Sequence, residues 1–340
     1  PPITWDNPFP SSVAGAPPPP NYGALSRDFK VGYSQLRSLH VAQQLTGNDA
    51  IEIGYAGNFA LGGDRAVNVN DAPPGPGAIQ PRRLRPQYGV LTEVRSDAKT
   101  FYNSGTLKYT RRFSDGLTVL SSYTFSKTID QAFSSIAGNP TGGAVSQTAR
   151  NLSQRGLSGS HRAHVWVTSS VYELPFGSGR KFLNRRGVAD VLLGGWQVSS
   201  IITLQSGGAF AVTLQDAAAG LNTGSDQRPN RLRDANLPES DRTIQRWFDT
   251  TAYVRPPQYT FGSEETRTLF MPGLANVDAS LKKAFRMWET GNLEFRAEFF
   301  NVFNRTNFGQ PGNVFGNPSF GIISASGPAR VGQVSLKLVF

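Results

Sequence analysis

Three runs near the end of the chain, beginning at Asn276, alternate apolar and polar residues with a period of two. In the second, Leu293, Phe295, Ala297 and Phe299 stand against Glu294, Arg296 and Glu298; in the third, Val334, Leu336, Leu338 and Phe340 stand against Gln333, Ser335 and Lys337. A period of two predicts strands with two unlike faces. In a soluble sandwich the apolar face would be core, whereas in a membrane barrel it would meet lipid while the polar face lined a wet lumen. The periodicity leaves both open. An aromatic residue ending an alternating strand, as Phe340 does, tilts the reading toward the barrel.

Earlier segments carry the same signal. Strands are predicted at Gly32 to Leu45 and Ala50 to Gly57, joined by Thr46-Gly47-Asn48-Asp49, with Ile51, Ile53 and Tyr55 on one face. A second hairpin runs from Tyr102 to Arg112, turns at Phe113-Ser114-Asp115-Gly116, and returns with Leu117, Val119, Tyr123 and Phe125 opposed to Thr118, Ser122, Thr124 and Ser126. Ala163, Val165, Val167 and Val171 then oppose His164, Thr168 and Ser170, and Pro175 and Gly177 stop that strand. Trp196, Val198, Ile202 and Leu204 share a face of another, expected to pass a kink at Gly207-Gly208 and reach Leu214. Residues 1–30, with the run Pro17 to Pro20, read as an extended segment, and 243–251 as room for one helical turn. The total is about nine strands.

The connections alternate in length. Short ones fall near 46–49, 113–116 and 287–292, with a medium one at 174–194; long ones fall near 58–100, 127–162, 215–275 and 305–329. Outer-membrane barrels show this parity, with short periplasmic turns and long outward loops. With Phe340 on the periplasmic side, Asp115, Gly116, Gly291 and Asn292 are expected in the periplasm, and Gly75, Gly142, Ser225 and Asn313 outside. Phe299 is expected near mid-membrane, facing lipid, and Glu294, Arg296 and Glu298 the lumen.

Composition narrows the choice. Hydrophobic residues make up 38% of 340 and mean hydropathy is -0.32, and no stretch approaches the ~20 apolar residues of a membrane helix. Any spanning is therefore done by strands. With Cys 0, disulfides, thiolate metal sites and thiol catalysis are excluded. Gly 36, Pro 23 and Phe 22 favour turns and aromatic-decorated strands. The opening Pro-Pro-Ile-Thr-Trp is no secretory leader, which a protein of this class is expected to carry upstream of Pro1. The net charge of +10 is spread over turns and loops (Arg111, Arg112, Arg180, Lys181, Arg185, Arg186, Arg228) without a basic stripe, which argues against nucleic acid as a partner. A diffuse positive field suits lipopolysaccharide phosphates or anionic solutes.

No constellation of catalytic groups stands out. His161 and His164 are three apart, on opposite faces of a strand, unsuited to sharing a metal. Asp278, Glu294 and Glu298 resemble a catalytic acid set but read better as polar lining paired with Lys282 and Arg296. Gly138 to Gly143 lacks the Lys-Ser/Thr of a phosphate loop. No cofactor and no enzymatic activity are expected. Tyr123, Phe125, Trp166, Trp196, Phe285, Trp288, Phe299 and Phe303 lie near inferred strand ends, where membrane aromatic girdles belong.

Six blocks carry a family likeness: Tyr123-Thr-Phe-Ser-Lys127, Val171-Tyr-Glu-Leu-Pro-Phe-Gly177, Gly194-Gly-Trp-Gln197, Thr203-Leu-Gln-Ser-Gly207, Arg246-Trp-Phe-Asp-Thr250 and Phe295-Arg-Ala-Glu-Phe-Phe-Asn-Val-Phe-Asn304. In this order, from about Tyr33 to Phe340, they resemble the C-terminal barrel of TonB-dependent outer-membrane receptors, closest to the Oar-like group. The resemblance implies an antiparallel transmembrane β-barrel of about 22 strands around a plug, preceded by a regulatory-like sandwich. Sandwich, plug and TonB box have no counterpart in these residues, so the chain resembles the last part of a receptor. The resemblance further implies uptake of a scarce solute powered by the TonB complex, loops that hold the solute, lipid and lipopolysaccharide around the barrel, and insertion by the barrel assembly machinery, with Phe340 as its C-terminal signal. By residue type and loop position, Arg82, Arg83, Arg231, Arg233, Trp247 and Tyr253 are the candidate solute contacts. A surface adhesin or structural barrel without transport is the alternative, and an outer-membrane hydrolase a third class.

Overall fold

The computed structural model describes residues 18–131, 145–146, 155–185, 187–215, 227–287 and 291–340. Its frame is an antiparallel meander in strict sequence order: β1 (Tyr33–Gln44), β2 (Asp49–Asn68), β3 (Leu91–Ser114), β4 (Leu117–Gln131), β5 (His164–Glu173), β6 (Trp196–Gln205), β7 (Leu274–Arg286), β8 (Asn292–Phe300) and β9 (Val331–Val339). β1 and β9 are the two ends of the ladder, so the nine strands form an open sheet. Three short segments, Tyr22–Leu25, Val145–Ser146 and Arg155–Leu157, add to β3, β2 and β4.

Pairing register joins the alternating residues into two continuous faces. One row on the first face reads Val41, Ile53, Leu107, Tyr123, Trp166, Leu204 across β1 to β6. Another reads Leu117, Tyr172, Val198, Leu281, Ala297, Val334 across β4 to β9. The second face carries Glu173, Gln197, Lys282, Arg296 and Ser335 in a row. Because side chains alternate strictly, a one-residue slip at any strand would exchange these faces. β5 is the exception to simple reading: its valines Val165, Val167 and Val171 fall on the polar face, opposite Thr124, Ser122 and Thr118. Its His164, Trp166, Thr168 and Ser170 fall on the apolar one.

Turn chemistry fixes the parity of the connections. β3 and β4 are joined by Asp115 and Gly116, both at positive φ (51° and 81°), the two-residue turn whose twist matches that of the strands. β1 and β2 are joined by residues 45–48, where the Thr46 hydroxyl accepts from the backbone N–H groups of Asn48 (3.2 Å) and Asp49 (3.1 Å). The connection 174–195 holds a short helix, Val188–Leu193. The long connections, 69–90, 132–163, 206–273 and 301–330, all leave the opposite end.

Several boundaries differ from expectation. β2 and β3 continue well past Gly57 and start well before Tyr102, shrinking the connection expected at 58–100 to 69–90. A strand of 24 residues such as β3 spans ~80 Å, far more than a bilayer needs, and outside it alternation no longer has to hold. The irregular register near Gly62 and Gly63 shows where pattern is lost. β6 stops at Gln205 and does not run on to Leu214: at Gly207 the backbone crosses Met271 so closely that a Cβ would lie 1.7 Å from the Met271 carbonyl oxygen. Beyond that crossing, Ala209–Phe210 pairs with Leu269–Phe270. The helical turn expected in 243–251 is a 3-10 turn at Thr250–Ala252. Part of the amino-terminal segment expected to be structureless is the strand Tyr22–Leu25, parallel to Leu91–Val94. Phe299 lies one residue from the outward end of β8, so it stands near the rim and not at mid-strand. Trp288, Gly142, Ser225 and the run Gly138 to Gly143 lie outside the described residues.

The buried apolar cluster belongs to the loops. Phe210, Val212, Ala235, Phe248, Ala252, Tyr253 and Leu269 form it, and Phe315 and Phe320 pack against it from the 301–330 connection. Phe320 meets Phe248 edge-on at 5.1 Å and Tyr253 at 5.7 Å, geometry that adds about 0.5–1.5 kcal/mol per pair to simple burial. Backbone bonds from Trp247 to Gly321 (2.9 Å) and from Ile323 to Ile244 (2.8 Å) tie the same two loops together. The sheet presents both faces to its surroundings while a folded loop layer sits at one end.

Candidate solute-binding site in the loop layer

Two of the residues singled out from sequence, Arg231 and Arg233, meet in one cleft. It has a volume of about 660 Å³ and is also lined by Arg155, Arg267, Asp234 and Glu265. Arg155 is brought there by the short strand Arg155–Leu157, paired to the outward end of β4, and its guanidinium stacks over Phe101 at 5.4 Å. Arg267 reaches Asp130 and the carbonyl of Leu157, bridging the cleft's two walls.

Carboxylates stand behind three of these arginines: Asp249 behind Arg233, Glu264 behind Arg231 and Asp130 behind Arg267. Arg233 donates to Asp249 at 2.7 Å and to the Thr251 hydroxyl at 2.6 Å. Asp249 also caps the 3-10 turn, accepting from the Thr251 N–H at 3.1 Å. The Thr251 hydroxyl and the Arg233 guanidinium hold the Asp249 carboxyl below the ordinary carboxylate range. Arg231 lies 3.3 Å from Glu264, whose side chain is fully buried. Burial pushes the Glu264 carboxyl up, against the opposing pull of Thr268 and Arg231, because a carboxylate taken out of water favours its neutral form. Arg155 pairs with no carboxylate among the described residues. A cleft with one such guanidinium and three held in place offers planar, multidentate donation to oxygen-rich or anionic groups.

The other candidates lie elsewhere. Arg82 sits on the short helix Ile79–Arg82 and donates to the Pro73 and Ala78 carbonyls. Arg83 is 6% exposed and braces its loop through the Asn70 carbonyl (2.9 Å) and Gln80 (3.0 Å), so its donors face inward. Tyr253 is 3% exposed in the loop core, where burial and the Glu264 charge push its hydroxyl pKa up. Neither Arg83 nor Tyr253 presents a surface to a solute in this conformation. Trp247 packs beside the core and donates from Nε1 to the Phe270 carbonyl at 2.8 Å. On the sheet, Glu294 pairs with Lys282 at 3.1 Å, Arg296 with Glu298 at 3.4 Å, and Glu298 accepts from Gln333 at 2.5 Å, all on the polar face. Phe340 follows β9 and is 91% exposed. His161 and His164 diverge, the first toward the Thr128 N–H (3.3 Å), the second to the Tyr123 hydroxyl (2.7 Å). Arg155 and Arg267 carry no pattern in the sequence; only the pairing of distant strands brings them to Arg231 and Arg233.

Residues 1–333 match the outer membrane beta barrel domain family. The chain belongs to that family. Its fold is similar to that of the outer membrane transporter YddB from Escherichia coli, with a TM-score of 0.50 at 10% identity, over 95% of this chain and 34% of that one. A weaker likeness, TM-score 0.42 at 12% identity, is to the FrpB iron transporter from Neisseria meningitidis (F3-3 variant), over 93% of this chain and 32% of that one. The chain thus spans about a third of the length of these transporters. No curated protein sequence matches it. The outer membrane beta barrel domain therefore sits in the outer membrane, and the apolar rows of its sheet are its lipid face. Its fold is one used by outer-membrane transporters.

Proposed function

We propose that this chain is the C-terminal portion of a TonB-dependent receptor barrel of the Oar-like group. Its outward loops bind a scarce solute, which enters through the lumen when a plug carried elsewhere in the receptor is rearranged by the TonB complex. The observation that carries this reading is the arginine-lined cleft placed in a folded loop layer at the outward end of the membrane strands. The six sequence blocks support the family assignment. Arg155, Arg231, Arg233 and Arg267 bind the solute's oxygens. Glu294, Arg296 and Glu298 line the lumen, and Phe340 ends the strand that the assembly machinery reads. The chemistry is binding and gating, with no bond broken.

The test uses the full-length receptor. Purified protein is incubated with concentrated spent growth medium, retained small molecules are identified by mass spectrometry, and the retained solute is radiolabelled for uptake by intact cells. Arg155→Gln should lower retention at least tenfold, as loss of a charge-assisted bond of about 1.5–3 kcal/mol requires. Uptake should vanish in cells lacking TonB. Equal uptake with and without TonB would overturn the transport mechanism, and a receptor that retains no solute yet promotes cell attachment would favour an adhesin.

A further inference from the structure

Glu264 stands behind the arginine cleft on a segment that cannot swing away. Its side chain is fully buried, 3.3 Å from the Nε of Arg231. Three hydrogen bonds pin the backbone around it. Glu264 N–H donates to the Pro229 carbonyl at 3.1 Å, Ser263 N–H to the Asn230 side-chain oxygen at 2.9 Å, and Arg231 N–H to the Ser263 hydroxyl at 3.1 Å. Two residues earlier the segments run so close that a Cβ at Gly262 would collide with the carbonyl oxygens of Arg228 and Pro229. Pairing of Asn230–Arg231 with Tyr253–Val254 fixes the arginine's backbone from the other side. The carboxylate has no route to water, so it either keeps its charge against Arg231 or gives it up by taking a proton.

The groups facing Glu264 leave it dependent on that one arginine. Thr268 donates its hydroxyl to Oε1, whereas Oε2 has no hydrogen-bond donor among the described residues and lies only within ion-pair range of Arg231. Arg228 donates to the Glu264 backbone carbonyl at 3.4 Å and adds a weaker positive field, which Glu265 on the same segment opposes. The Tyr253 hydroxyl is buried near enough for the Glu264 charge to push it up. Burial outweighs the attractions and sets the Glu264 carboxyl above its ordinary 4.5. Of the carboxylates that line the cleft itself, Glu265 is exposed, and Asp234 is held below the ordinary range by bonds from Asn236, so it stays charged where Glu264 titrates. Arg231 is 25% exposed and lines the cleft, so one guanidinium faces a buried anion behind and a solute in front.

We infer that Glu264 is an acid-operated lock on the cleft: while charged it holds Arg231 back, and on taking up a proton it releases Arg231 to a bound anion. Drawing the guanidinium forward while Glu264 is charged would strand a buried carboxylate without its partner, the costly way to break such a pair. A neutral carboxyl needs no counter-ion. By reciprocity, an anion that engages Arg231 raises the proton affinity of Glu264, so binding takes up a proton and affinity rises as pH falls through the Glu264 value. The inference rests on the reading of the cleft as an anion site and adds its regulation, tighter holding in acid than in neutral medium.

The experiment titrates the full-length protein in detergent with pyrenetetrasulfonate, a fluorescent anion whose sulfonates keep their charge throughout, and reads binding by anisotropy. Wild type should bind at least about tenfold more tightly near pH 5 than near pH 8, since one linked proton allows up to about tenfold per pH unit. Glu264→Gln, neutral at every pH, should bind near pH 8 as wild type does near pH 5 and lose the dependence. Glu265→Gln, on the exposed cleft wall, should keep it. Calorimetry of wild type in two buffers of different ionisation enthalpy should show proton uptake on binding, a readout that needs no variant. Slow trypsin cutting within 206–273 verifies that each variant's loop layer is folded. A wild-type affinity that does not change with pH, or a Glu264→Gln variant with the wild-type pH profile, would overturn the lock. In that case weakened binding in Arg155→Gln would leave the cleft standing as an anion site. If Arg155→Gln and Arg231→Gln both bind the probe as wild type does, the cleft is not the anion site and both readings fall.

Discussion

Lys283 stands on the lipid face of β7 and donates from Nζ to the carbonyl oxygen of Gly194 at 2.5 Å. A lysine among apolar neighbours, 3% exposed, would be costly without that acceptor. The rings of Trp196 (5.2 Å) and Phe285 (4.9 Å) flank the ammonium and supply further attraction. Since the position is near the periplasmic end of the strand, the side chain reaches back to the 174–195 connection and leaves the hydrocarbon. Lys283→Met keeps the length and should change barrel stability by less than about 1 kcal/mol. Lys283→Glu places an acceptor against an acceptor and should cost upward of about 2 kcal/mol. Urea titration of the full-length protein in lipid vesicles, followed by tryptophan fluorescence, measures both; equal costs would remove the carbonyl from the account.

Depth along the strands sets a second expectation. Leu281 lies midway along β7 between Val198 and Ala297, on the lipid face, whereas Phe299 sits at the rim of β8. Arginine costs about 2–4 kcal/mol at the bilayer midplane and about 0–1 kcal/mol near an interface. Leu281→Arg should therefore destabilise far more than Phe299→Arg, and Glu298→Arg, on the polar face, should cost least. The same vesicle titration gives the ranking, and a reversed order would exchange the two faces.

A third expectation separates the loop layer from the barrel. Phe248 is 1% exposed and touches Phe210, Tyr253 and Phe320. Truncating a buried phenylalanine costs about 3–5 kcal/mol. In Phe248→Ala that loss should fall on the loops alone: trypsin should cut within 206–273 at least tenfold faster while the barrel keeps its resistance to detergent on unheated gels. Loss of that resistance together with the cutting would mean that loops and sheet fold as one unit.

The sheet was legible in the sequence because period-two alternation is enforced wherever lipid lies on one side and water on the other. Leu293 to Phe299 and Leu117 to Ser126 show it, and the connection parity followed from the same elements. Val165, Val167 and Val171 mislead because a lumen wall tolerates valine, so only the register against Ser122 and Thr124 assigns their face. The outward halves of β2 and β3 were hidden because beyond the membrane no solvent contrast imposes alternation. The cleft was half legible: Arg231 and Arg233 sit together in sequence, but Arg155 and Arg267 arrive through β4 pairing and the Asp130 bridge. Tyr253 and Arg83 were misleading for a local reason, since residue type in a loop says nothing about whether that loop has a core.

Loop stability should respond to pH in two opposed ways. The Asp249 carboxyl is held low by Thr251 and Arg233, so its contribution is full above its unfolded value near 3.8 and is lost as pH falls through the lower folded value. The Glu264 carboxyl is raised by burial, so its contribution is present below its ordinary 4.5 and is lost as pH rises through the higher folded value. Asp249→Ala removes the cap of the Thr250–Ala252 turn and should weaken the loop layer at neutral pH by about 0.5–2 kcal/mol. Glu264→Gln should abolish the loss of protection seen on raising pH above 4.5. Amide hydrogen exchange of peptides from 227–273, at a series of pH values corrected for intrinsic rates, reads both effects. Glu264→Gln with the wild-type pH profile would show that this carboxyl does not govern the layer.

The sidedness of the sheet follows from its two kinds of end. Asp115 and Gly116 close a hairpin in two residues, which leaves no chain for contact with solutes, whereas Gln258 is exposed within the connection 206–273 that builds the loop layer. Short turns belong to the periplasm and long loops to the medium, and Phe340, which follows β9, lies on the side of the short turns. Since this chain has Cys 0, single cysteines in it provide a clean reporter once any cysteines elsewhere in the full-length protein are replaced. Gln258→Cys should react with a membrane-impermeant maleimide on intact cells, and Asp115→Cys only after the outer membrane is broken. The substitution at Asp115 also removes a side chain favoured at positive φ, costing about 1 kcal/mol, too little to unfold a barrel held by its ladder. Labelling of Asp115→Cys on intact cells with Gln258→Cys silent would turn the sheet upside down, and with it the assignment of the arginine cleft to the outer surface.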